Sequence, residues 1–113
     1  MSDKTYNVES RKGTVTIPTS TTVTTGTVTL EDINGLTNQI FFTTPSMTGT
    51  DTPKLQIVNS AGAVFMDSGT VAESVTTILG TQVALVSGDK MIATASGTQS
   101  AAADIVYDIR FLR

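Results

Sequence analysis

The last ten residues, Asp104-Ile-Val-Tyr-Asp-Ile-Arg-Phe-Leu-Arg113, constrain the fold of this chain more than any other stretch. In an extended backbone successive side chains point to opposite faces, so Ile105, Tyr107, Ile109 and Phe111 share one side. Val106, Asp108, Arg110 and Leu112 share the other. An apolar row of period two, preceded by the small and polar run Ser96–Ala103, predicts a strand with one buried face that closes a core sheet.

The rest of the chain repeats that chemistry. Gly13–Pro18 and Thr21–Leu30 are rich in Thr and Val, whose β-branched side chains favour extended backbone. Val15, Ile17 and Val23 fall on odd positions but Val28 and Leu30 on even ones, which predicts a change of inward register at Gly26, by a bulge or a tight bend. Asn34-Gly35 predicts a turn before a strand at Gln39–Thr44, which Pro45 stops. Lys54–Asn59, the loop Ser60-Ala-Gly62 and Ala63–Ser68 predict a hairpin. Thr70–Leu79 fits both a short capped helix, with Thr70 and Glu73 as a capping box, and an extended segment; its β-branched content favours the extended one. Thr81–Val86, the turn Ser87-Gly88-Asp89 and the returning Lys90–Ala95 complete about nine strands. Short strands at this spacing predict an all-β fold, a single antiparallel β-sandwich of jelly-roll or immunoglobulin-like type over residues 13–113. Residues 1–12, polar apart from Tyr6 and Val8, are expected to form an N-terminal arm, with Tyr6, Val8, Arg11 and Lys12 available to a neighbouring subunit.

Composition narrows the chemistry. The 113 residues include no His, Cys or Trp, which removes the usual general base, the commonest metal ligand and any disulfide framework. Ten scattered carboxylates form no recognisable acid pair, and no Gly-x-Ser-x-Gly elbow or phosphate-binding glycine loop is present. Asp51 and Asp89 sit in turns that offer oxygen ligands without the convergence calcium requires. No enzyme activity, cofactor or metal is therefore expected. Charged residues make up 15% of the chain and the net charge is −3, which disfavours binding to nucleic acid. No apolar run approaches membrane-spanning length and no signal-peptide pattern opens the chain, so no membrane partner is expected. A glycan- or receptor-binding loop would need exposed aromatic and polar groups converging, and Met47–Thr52 is the segment to inspect. Phe41 and Phe42, being adjacent, must point to opposite faces, so one ring leaves the core of its own sheet. Phe42 is taken as the candidate for an interface.

From Val28 to Arg113 the chain resembles small β-sandwich virion proteins of tailed bacteriophages. The resemblance is carried by Asp32-Ile-Asn-Gly-Leu36, by the hairpin Leu55-Gln-Ile-Val-Asn-Ser-Ala-Gly-Ala-Val64, by Val83-Ala-Leu-Val-Ser-Gly-Asp-Lys-Met-Ile92, and by the small-residue loop before the final strand. It implies a non-enzymatic structural protein, of which a capsid decoration or cement protein is the leading expectation. A tail, neck or fibre module binding a host-surface receptor or carbohydrate is the alternative. The implied partners are the major capsid protein or other virion proteins, with homo-oligomerisation. The implied location is the virion, after synthesis in the host cytoplasm. In a shell, Arg110 and Leu112 on the outer side of the closing strand, and the final Arg113, join the arm residues as candidates for contact.

Overall fold

A computed structural model of the chain describes residues 8–80 and 82–112. These residues form nine strands: β1 Val8–Ile17, β2 Thr25–Thr29, β3 Gly35–Thr43, β4 Pro53–Val58, β5 Val64–Thr70, β6 Thr76–Leu79, β7 Ala84–Leu85, β8 Lys90–Ala95 and β9 Ala103–Leu112. One sheet has the order β1-β9-β3-β6, with β7 also paired to β3, and the other the order β2-β8-β4-β5. All strand pairs are antiparallel. With β6 and β7 sharing one lane beside β3, this is the strand order of a jelly roll, which decides between the two sandwiches compatible with the sequence.

The expected alternation organises the core. Ile105, Tyr107, Ile109 and Phe111 of β9 are buried, together with Val15 and Ile17 of β1 and Ile40 and Phe42 of β3. Opposite them lie Leu55 and Ile57 of β4 and Met91 and Ala93 of β8. β9 is the central spine of its sheet, matched to β1 over ten consecutive pairs from Val8↔Leu112 to Ile17↔Ala103 and to β3 on its other side. Tyr107 stands opposite Gly13, and its ring occupies the space where a side chain at Gly13 would stand.

Several expectations change. Val8–Lys12, assigned to an arm by their polarity, are the first half of β1, held by pairing with Leu112–Asp108; residues 1–7 lie outside the described residues. Sequence polarity misleads here because one face of β1 is solvent-facing and its inner face near Val8 lies at the end of the sandwich. Gly26 is neither a bulge nor a bend. The β2–β8 register runs unbroken, and Gly26 is required because a Cβ there would collide with the carbonyl of Thr16, where β2 crosses close to β1. The shift from odd to even inward positions arises because Val15 and Ile17 belong to one sheet and Val28 and Leu30 follow in the chain of the other. Val23 is exposed in the intervening loop, where Ser20 Oγ accepts hydrogen bonds from the Thr22 and Val23 amides (3.0 and 2.9 Å).

The turn before β3 takes its left-handed residue from Asp32 (φ 53°) and not from Gly35, which already belongs to the strand. The segment 70–79 forms no helix: Thr70 ends β5, the chain bends at Glu73–Val75 with Ser74 left-handed (φ 56°), and Thr76–Leu79 are extended as β6. The turn Ser87-Gly88-Asp89 is no hairpin: it carries the chain from β7 in one sheet to β8 in the other. Asp89 is buried and uses its carboxylate to accept the Val86 amide (3.0 Å), while its carbonyl accepts the Leu30 amide (2.7 Å).

Candidate assembly surface

A sandwich whose interior is filled by apolar side chains can act through its ends, its edges or its two outer faces. At one end, the loops 44–52 and 96–101 are locked together. Gln99, 1% exposed, accepts the Thr48 amide at Oε1 (2.8 Å) and donates from Nε2 to Asp51 Oδ2 (3.1 Å) and to the Gly97 carbonyl (3.0 Å). Ser96 Oγ donates to Asp51 Oδ1 (3.2 Å) and accepts the Thr52 amide (3.0 Å). These bonds satisfy the polar groups of the loops and fasten them to each other. Met47 is buried, and Met47–Thr52 contains no aromatic residue.

On the outer side of the β2-β8-β4-β5 sheet, a surface hollow of about 180 Å³ is lined by Thr52, Lys54, Thr70, Thr94, Ala95 and Ser96. Its one ionisable side chain is Lys54, and no acid or base stands beside it in the lining to carry a proton. Among the described residues, no group of three or more His, Cys, Asp or Glu could hold a metal ion. Among the same residues, no helix is long and apolar enough to cross a membrane. Asp67, also on this face, has its carboxyl held below the ordinary aspartate range by the hydrogen bond from the Gly69 amide (2.8 Å) and then by Gln56 Nε2 (2.8 Å). Tyr107 is shifted the other way: burial raises its phenol above the usual value.

The two outer faces differ. Across the β2-β8-β4-β5 sheet the outward rows are Thr25, Thr94, Lys54, Thr70, then Thr27, Ile92, Gln56, Asp67, then Thr29, Lys90, Val58, Val64. Hydroxyls and charges dominate; Ile92 stands in the middle row, and the exposed Val64 beside the buried Val58 stands at one corner. Across the β1-β9-β3 sheet the first row is wholly apolar: Val8, Leu112, Leu36 and Ala84 stand side by side on β1, β9, β3 and β7. Two residues further along lie Ser10, Arg110 and Gln39, then Lys12, Asp108, Phe41 and Ile78, then Thr14, Val106, Thr43 and Thr76. Val8, Leu36, Ile78 and Val106 are 58%, 40%, 56% and 48% exposed. Exposed branched aliphatics on one continuous sheet face are a mark of contact with another macromolecule.

Arg110 and Asp108 interact on this face. Arg110 lies over the Phe41 ring, 5.1 Å from Cζ to the centroid, and donates from Nη2 to Asp108 Oδ2 at 3.5 Å. Asp108 Oδ1 is buried and has no hydrogen-bond partner among the described residues, an acceptor left open in the middle of the face.

Of the residues marked from the sequence, Val8, Lys12, Arg110 and Leu112 are brought together on this face. Arg11 is not. It points to the inner side and closes the end of the sandwich, donating to the Asp32 carbonyl (Nε, 2.8 Å) and to Asp32 Oδ2 (Nη2, 3.0 Å), with Cζ 5.5 Å from the Phe111 ring. Phe42 is corrected outright: it is fully buried in the core, because the even residues Ile40 and Phe42 face inward and Phe41 therefore faces out. Tyr6 and Arg113 lie outside the described residues. The sequence reading missed Leu36 and Ile78, which reach this face only through lateral pairing with Leu112 and Phe41.

No protein-family model and no curated protein sequence matches the chain. Solved structures do share its fold. A chain of the cyanophage Pam1 capsid asymmetric unit matches with a TM-score of 0.60 at 16% identity, over 95% of this chain and 85% of that one. A chain from the Bacillus endospore appendages, described as a family of disulfide-linked pili, matches with a TM-score of 0.57 at 10% identity, over 98% and 93%. At such identities the likeness is one of fold: the chain is similar in architecture to subunits of a capsid and of a pilus.

Proposed function

We propose that this protein is a non-enzymatic structural component of a bacteriophage particle, of the capsid decoration or cement type, which stabilises the shell by lying against the major capsid protein. The observation that carries this reading is the contrast between the outer faces: one presents mostly hydroxyls and charges, with Ile92 and Val64 as its accessible aliphatics, and the other exposes a wholly apolar row with the Arg110–Phe41 pair beside it. A contiguous exposed apolar patch rimmed by polar groups is a common mark of an assembly surface. The fold it shares with a capsid subunit and with an appendage subunit supports a scaffold role, and the locked loops 44–52 and 96–101 suit durability better than the binding of a mobile ligand. On this reading the β1-β9-β3-β6 face, with Val8, Lys12, Arg110 and Leu112, seats on the particle.

Immunogold labelling and mass spectrometry of purified particles from cells producing the virus that encodes the chain test the reading. The expected result is regular labelling of the head surface. Abundant chain in the lysate with none in heads overturns the decoration assignment, and absence from heads, necks and tails alike overturns the particle assignment.

A further inference from the structure

A sheet edge is a row of unpaired main-chain donors and acceptors, and soluble proteins blunt such edges with short strands, bulges or cover. Three of the edges among the described residues follow this rule. β6 and β7 have four and two residues, β2 has five, and β5 pairs with β4 through two register shifts. β1 does not. It runs for ten residues in unbroken register with β9, without proline, and among the described residues β2 approaches it closely at Thr16.

The direction of its free groups can be read. The Thr16 carbonyl is turned to Gly26 of the other sheet, and the Ser10 carbonyl accepts Arg11 Nη1 at 3.1 Å. The N–H and C=O of one strand residue point to the same side and those of its neighbour to the opposite side. Even-numbered residues of β1 therefore turn their main-chain groups away from β9, toward the open edge.

We infer that the open edge of β1 pairs antiparallel with the same edge of a second copy, about a two-fold axis at Ser10. Charge favours that register over its neighbours from Glu9 to Lys12. An axis at Arg11 or Lys12 sets two like cations directly opposite each other, and an axis at Glu9 does the same with two carboxylates. An axis at Ser10 places Glu9 opposite the second copy's Arg11 twice over, and Val8 opposite its Lys12, with each Ser10 exchanging both main-chain bonds with its counterpart. The Ser10 carbonyl has a second lone pair, so Arg11 Nη1 keeps its present bond. Because a two-fold contact uses the same surface on both partners, assembly stops at a dimer. The pairing is a property of the chain itself and does not depend on the particle reading.

The chain has no cysteine, so single replacements report the contact cleanly. Directly opposed residues of a hydrogen-bonded antiparallel pair have Cα atoms about 5.5 Å apart, within disulfide range. Ser10→Cys should oxidise to a covalent dimer, while Thr27→Cys on the other sheet should not. In sedimentation velocity the full chain should form a dimer whose dissociation constant rises at least tenfold in Glu9→Arg and recovers in the charge-swapped Glu9→Arg/Arg11→Glu. Ser10→Pro should abolish the dimer and leave the circular dichroism spectrum unchanged, since the lost N–H serves only the open edge. A chain that stays monomeric at every concentration, with Ser10→Cys no more readily cross-linked than Thr27→Cys, overturns the inference. An open-ended series of oligomers overturns it equally, because that requires β1 to meet a different edge.

Discussion

Val8, Leu112, Leu36 and Ala84 form a row on the outside of one sheet, and Thr25, Thr94, Lys54 and Thr70 form a row on the outside of the other. Both rows face away from the core, so burial inside the domain explains neither. A solvent-facing strand position accepts threonine readily, since its branched Cβ favours the pleat and its hydroxyl meets water. Aliphatic side chains at equivalent positions of the first sheet cost solubility in an isolated domain, a cost that the proposed seating on a partner would offset. Two sheets of one jelly roll thus differ in what they present outward, and the proposed function rests on that difference.

The largest expected effect lies beneath both faces. Truncation after Asp104 removes nearly all of β9, leaving β1 and β3 without the strand between them, and should abolish folding as seen by far-ultraviolet circular dichroism. Soluble, β-rich truncated protein would show that the sheet carrying the apolar row is not built on this spine. The neighbours Phe41 and Phe42 sharpen the comparison next. Phe42→Ala opens a cavity in the core and should cost about 3–5 kcal/mol in denaturant unfolding. Phe41→Ala removes a half-buried, outward-facing ring stacked by Arg110 and should cost about 1 kcal/mol, with its main effect on assembly. Equal losses from the two would erase the distinction between core and contact surface.

The smallest effect concerns the threonine-clad face. The Asp67 carboxyl is depressed below its ordinary value of 3.8, with the Gly69 amide as the largest cause. A group depressed in the folded state stabilises above its unfolded pKa, and that stabilisation is lost as pH falls through the folded pKa. Melting temperatures measured from about pH 5 down to about pH 2 should therefore fall slightly less steeply in Asp67→Asn than in the parent chain. Because the group is fully exposed, a large difference would contradict the assignment of this face as plain solvated surface.

Much of this architecture could be read from the amino-acid order. Period two in 104–112 identified the inner face of β9, because burial on one face of a strand is written directly in alternate residues. The hairpin 54–68 was legible from its Gly-containing loop. Facts that depend on which strands lie side by side were not. Gly26 looked like a bulge because its true constraint, the Thr16 carbonyl, lies on another strand. Phe42 was chosen over Phe41 because adjacency requires opposite faces without saying which faces in; the inward Ile40 two residues earlier was the available signal. Leu36 and Ile78 joined the surface only through their neighbours Leu112 and Phe41. Val8–Lys12 read as an arm because charge dominates their composition, whereas main-chain pairing to β9 places them in the sheet.

Hydroxyl-radical footprinting of side chains in the free and particle-bound protein tests the central claim most directly, since both faces are read in one experiment. Oxidation of Leu36, Phe41 and Ile78 should fall severalfold on assembly, while that of Phe65 and Ile92 on the β2-β8-β4-β5 sheet stays unchanged. Protection of Phe65 and Ile92 with Leu36, Phe41 and Ile78 still open to solvent would contradict the account.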